Sequence, residues 1–77
     1  MSELLGRRLR ALRRLKRLTQ KDLAGLLGIS VSSLSTLERG DKYPRVDMLK
    51  KIARILDVSL EELFVLPDSL SQQKHSS

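Results

Sequence analysis

Four punctuation residues constrain this chain more than any other feature. Thr19 and Ser30 are of the type that caps helix starts, and Gly28 and Gly40 of the type that closes helix ends. They leave room for two short helices on either side of a tight turn. Leu23, Ala24, Leu26 and Leu27 read as the apolar face of the first of these, with Asp22 reaching back to Thr19 as a shortened capping box. Leu34 and Leu37 are the inward positions of the second. Around this pair the helical period continues. Leu5, Leu9, Leu12 and Lys16 share a stripe over residues 3–17, and Leu18 ends that segment. Asp41-Lys42-Tyr43-Pro44 is a turn, because proline stops a helix from running through it. Val46, Leu49, Ile52, Ala53 and Leu56 predict a helix from about 46 to 56. Ser59 with Glu62 is a full capping box for a last helix carrying Leu60, Leu63 and Phe64, which Pro67 ends.

The expectation is therefore an all-α fold of five short helices with connections of two to five residues. Residues 1–66 form one domain, and the polar residues 67–77 a tail expected to be disordered. At 77 residues the chain has room for one modest core. It has no cysteine and a single histidine, His75, so neither disulfides nor a zinc site is expected to support it.

Charge is unevenly spread. The chain holds 15 Lys and Arg against 9 Asp and Glu, a net +6. Residues 1–17 carry seven basic side chains against Glu3 alone, which accounts for the whole excess. Polyanions attract such a chain, although a solvated helix face is the plain alternative. Arg7, Arg10, Arg14 and Arg17 follow helical spacing. That stripe reads as an extra phosphate grip, with Arg10 a candidate contact, or equally as a solvated face. A membrane-surface helix is disfavoured, since no aromatic anchors its apolar side.

Catalysis has no visible basis: His75 lies in the tail, the carboxylates are isolated or serve as caps, and the four glycines are scattered. No cofactor or small-molecule ligand is expected. MSELLGRRLR is too interrupted by arginine for a signal peptide, and no run is long enough to span a membrane, so a cytoplasmic protein is expected.

Residues 20–39 carry the functional reading. Ala24 is small where one helix presses on another, Gly28 permits a sharp turn, and Leu34 and Leu37 pin the second helix to the body. That arrangement turns Val31, Ser32, Ser35, Thr36 and Arg39 outward, a short polar face that fits a major groove. An ordinary helical hairpin shares some of this spacing. The strings LRALRRLKRLTQKDLAGLLGIS, LSTLERG and VDMLKKIARILDVSLEELF resemble the Cro/phage-repressor (Xre-type) helix-turn-helix family, from about Leu9 to Phe64.

The resemblance implies a lambda-repressor-like DNA-binding domain, usually dimeric, acting as a transcriptional regulator on an inverted-repeat operator. It implies base reading by Val31, Ser32 and Thr36, with Ser35 beside them. It implies phosphate contacts by Gln20 and by the group Arg39, Lys42 and Arg45. It also implies a structural pair, Arg13 with Glu38, where two unrelated surface charges would be the simpler reading. Arg17 and Asp57 stand where the family often has glycine, and Arg45 where it has a capping residue. The reading face lacks the Arg, Asn and Gln side chains that make paired contacts to bases. Much of the specificity is therefore expected from DNA shape, water or arginines outside the helix.

Leu60, Phe64, Val65 and Leu66 offer more apolar surface than one small core needs, and are candidates for a two-fold dimer interface or ordinary packing. Leu4, Ala11 and Leu15 form a weaker row with no assigned partner. The rival function is an antitoxin-like or other protein-interaction module on the same fold.

Overall fold

The computed structural model describes residues 2–64. Five helices follow one another: α1 (Ser2–Leu15), α2 (Gln20–Leu27), α3 (Val31–Arg39), α4 (Val46–Leu56) and α5 (Leu60–Phe64). There is no strand among the described residues. The described residues thus form the five-helix, all-α fold that the spacing predicts.

Local chemistry sets the boundaries. Thr19 Oγ1 accepts the Asp22 N–H at 3.0 Å, and Asp22 accepts the Thr19 N–H at 3.0 Å, so α2 starts with a reciprocal capping box. Ser30 Oγ caps α3 through the Ser33 N–H at 3.0 Å. Ser59 and Glu62 make the equivalent exchange ahead of α5. Arg45 precedes α4 without a side-chain cap. Helices α1 to α4 all end in the same pattern of two backbone bonds around a left-handed residue. That residue is glycine after α2 (Gly28, φ 73°) and α3 (Gly40, φ 81°). It is Arg17 (φ 59°) after α1 and Asp57 (φ 58°) after α4.

The core lies where α1, α2, α3, α4 and α5 converge on Leu9, Leu23, Leu34, Ile52, Leu56 and Leu63, each essentially fully buried. Lys51, reaching from α4, donates to the Leu27 carbonyl at 3.0 Å and closes the end of α2. Three sequence-based expectations are corrected. Leu26 is 53% exposed and lies off the inner face of α2, and Val46 is 61% exposed at the first position of α4. Lys16 is exposed and outside α1, which stops at Leu15 because Arg17 takes the left-handed turn. Leu4, Ala11 and Leu15 all face solvent, Leu15 at 75%.

Glycine at position 6 has a reason that local spacing does not show. It sits inside α1 and is buried against the end of α3. A Cβ there would come within 2.7 Å of the Leu37 carbonyl oxygen and closer still to that of Glu38. Almost one turn earlier in α1, at the same crossing, a Cβ at position 40 would lie 2.5 Å from the Glu3 Cα. The backbones of α1 and α3 therefore touch directly, which fixes the direction in which α3 points.

Candidate nucleic-acid interface

Helix α3 lies across the body with Leu34, Leu37 and Glu38 buried. The opposite side presents Val31, Ser32 and Arg39 to solvent, with Ser35 and Thr36 half-buried. Small side chains keep this side low and even. Thr36 Oγ1 donates to the Ser32 carbonyl at 2.9 Å, so one of its hydrogen-bonding options is already used within the helix.

Glu38 organises the surroundings. Its carboxylate accepts from Arg13 Nε at 2.6 Å and Arg13 Nη2 at 3.2 Å, a two-point pair. The side chains are 9% exposed for Arg13 and 0% for Glu38. Gln20 Nε2 donates to the same carboxylate at 3.1 Å, and Arg10 Nε stands 3.6 Å away at the rim. Arg13 Nη1 also donates to the Leu18 carbonyl at 2.7 Å, which fastens the turn between α1 and α2. One carboxylate thus joins α1, the start of α2 and the end of α3. No buried side-chain polar atom is left unpaired among the described residues.

Of the residues expected to hold phosphates, Gln20 and Arg10 therefore sit around Glu38. Lys42 and Arg45 are exposed on the loop between α3 and α4. Arg39 is different again: it folds back along α3, with Nη1 bonded to Ser35 Oγ at 2.6 Å and Nε bonded to Asp41 Oδ2 at 3.0 Å. Of the dimer candidates, Leu60 is half-buried and Phe64 exposed, while Val65 and Leu66 lie outside the described residues.

Sequence reasoning missed three participants. Gly6 had a signal, since a glycine inside an Arg- and Leu-rich helix costs roughly 1 kcal/mol relative to alanine and so needs a packing reason. Asp41 and Tyr43 had none beyond their place in a turn. Tyr43 is half exposed and lines an open groove with Ile29, Ser33, Thr36 and Met48, beside the outward side of α3. Asp22 is held below the usual aspartate range, first by the Thr19 backbone N–H and then by the Thr19 side chain.

Two capped helices joined by a glycine turn, the second pinned from within and open without, define a helix-turn-helix protein. The chain matches the helix-turn-helix family HTH_3 over residues 9–63, and it belongs to that family. Among solved structures it is similar to the restriction-modification controller protein C.AhdI from Aeromonas hydrophila. That match has 38% identity and a TM-score of 0.78, and covers 82% of this chain and 96% of the other. It is also similar to the clp gene regulator ClgR from Corynebacterium glutamicum, at 30% identity and a TM-score of 0.82, over 97% of this chain and 81% of the other. A hypothetical transcription factor, NHTF from Neisseria, shares the fold at 24% identity and a TM-score of 0.84, over 94% and 83%. No curated protein sequence matches significantly. The two neighbours at 30% identity or more are thus a controller protein and a gene regulator. No helix among the described residues is long and apolar enough to cross a membrane.

Proposed function

We propose that this protein is a sequence-specific, double-stranded DNA-binding regulator that acts as a repressor, binding an inverted-repeat operator as a homodimer. The observation that carries the reading is the two-sidedness of α3. Its inner side is locked by Leu34, Leu37 and Glu38, and its outer side is low, polar and open. Val31, Ser32, Ser35 and Thr36 would face base edges in the major groove. The start of α2 offers free backbone N–H groups to a phosphate, with Gln20 beside them. Gln20 gives one side-chain N–H to Glu38 and keeps the other for this purpose. Lys42 and Arg45 would reach a strand from the following loop, and Arg10 would add charge from α1. The likeness to C.AhdI, a restriction-modification controller protein, along nearly that protein's whole length supports the regulator reading.

The dimer would place two α3 helices about 34 Å apart, one turn of DNA. Leu60, Phe64, Val65 and Leu66 are the proposed contact. Selection of duplexes from random sequence, followed by titration at several salt concentrations, tests the reading. The expected result is an inverted repeat bound with a steep salt dependence. Equal binding to all duplexes would sink it, and so would stable capture of the outer side of α3 by a protein partner that excludes DNA. Sedimentation of the free protein and the complex tests the dimer.

A further inference from the structure

Arg39 occupies an unusual position for a residue expected to hold a phosphate. Its guanidinium does not extend away from α3. Nη1 donates to Ser35 Oγ at 2.6 Å, one turn back, and Nη2 approaches Thr36 Oγ1 at 3.5 Å. Nε donates to Asp41 Oδ2 at 3.0 Å, a pair in which both side chains are more than half exposed. Three of the five guanidinium N–H groups are engaged in this way, and one remains on each terminal nitrogen.

Two features separate this arrangement from a phosphate contact. First, Arg39 and Asp41 together carry no net charge. The attraction of the guanidinium for a phosphate is largely offset, and the carboxylate repels the same strand. Second, the cation is laid over Ser35 and Thr36, on the side of α3 that the groove would receive, rather than out toward a groove wall. Base reading has the opposite requirements. It needs donors in a fixed geometry and gains nothing from net charge. A guanine presents two acceptors, O6 and N7, to the major groove, and arginine is the side chain that most often meets them.

We infer that Arg39 is a base-reading residue that recognises a guanine in the major groove, and that Ser35 and Asp41 position it. The inference rests on the DNA-binding reading above and moves Arg39 from the phosphate contacts to the base contacts. It supplies the discrimination that Val31, Ser32, Ser35 and Thr36 cannot provide alone, and it places that discrimination on the helix itself. Asp41 acts through Arg39. It holds the guanidinium in its orientation and makes loose, charge-driven attachment to unrelated DNA less favourable.

The test uses the full chain and a duplex selected from random sequence. Each guanine of one half-site is replaced in turn by 7-deazaguanine, which removes N7 and leaves Watson–Crick pairing and backbone unchanged. The wild type should lose roughly tenfold in affinity at one such position. The charge-neutral double variant R39A/D41N should bind the parent and 7-deaza duplexes equally, with an unchanged salt slope. D41N should reduce the preference for the selected duplex over a scrambled one while binding the scrambled one more tightly. The inference is overturned if the wild type is insensitive at every guanine, or if the selected site contains none. It is also overturned if R39A/D41N weakens selected and scrambled duplexes by one common factor and lowers the salt slope by about one, the mark of a phosphate contact. A wild type with no preference among duplexes would remove the proposed function itself. Thermal melting of each variant reads folding separately, and the base replacements on wild-type protein need no variant at all.

Discussion

The two sides of α3 are built from the same nine residues and obey opposite rules. Inside, Leu34 and Leu37 are packed and Glu38 is gripped from three directions. Outside, Val31 and Ser32 are exposed, Ser35 and Thr36 are half-buried, and the one long side chain, Arg39, is held by the Ser35 hydroxyl and the Asp41 carboxylate. The inner side determines where the helix lies, and the outer side what it meets. Changes should therefore separate cleanly into those that alter stability and those that alter recognition.

The largest effect is expected from E38A. It leaves the Arg13 guanidinium buried without its counter-charge, a loss of about 3–5 kcal/mol. In a domain of this size, that lowers the melting temperature by more than about 10 °C. A drop below about 1 kcal/mol would mean that the inner side does not hold the helix. G6A comes next, at about 1–3 kcal/mol, because the added methyl meets α3 carbonyls that belong to rigid backbone. A neutral outcome in chemical denaturation would show that α1 and α3 can separate freely.

Outer-side changes should leave folding alone. S32A and T36A are expected to shift stability by less than about 0.5 kcal/mol. Each should weaken binding to a selected duplex by less than about tenfold, since single hydroxyls discriminate poorly. A greater loss confined to the selected duplex would break the expected division of labour, with Ser32 or Thr36 as a principal reader. R17G touches neither side. It relieves a left-handed arginine and should raise stability by roughly 0.5–1 kcal/mol in thermal melts.

The smallest effect concerns pH. Asp22 is more acidic folded than unfolded, so its capping contribution is fully present above the ordinary aspartate range. It is lost as pH falls through the lowered folded-state value. In acid titrations of stability, D22N should lack this component of the decline. An identical acid profile would show that the capping box contributes nothing through charge.

Helix ends were legible because caps are local: Thr19, Ser30 and Ser59 each act within three residues, and Gly28 and Gly40 close the turns they mark. Side assignment was less secure near helix ends. Leu26 stands one residue, roughly 100°, round from Leu27, which is enough to carry it off the narrow inner face of α2. Val46 opens α4 beyond the edge of the core. The contacts of Gly6, the gathering of Gln20 and Arg10 around Glu38, and the fold-back of Arg39 depend on how separate helices meet. Helical periodicity contains none of that information. The residues of the candidate interface could be named from the chain, but not what their free N–H groups were already doing.

Glu38 has one more consequence. A single carboxylate spans three helices, so the start of α2 and the outer side of α3 behave as the jaws of a gauge set to one opening. Under the proposed function, a duplex with a slightly different groove width cannot be accommodated by adjusting the protein. The nucleic acid must bend or twist to fit, and the ease with which its base steps do so becomes part of the choice of site.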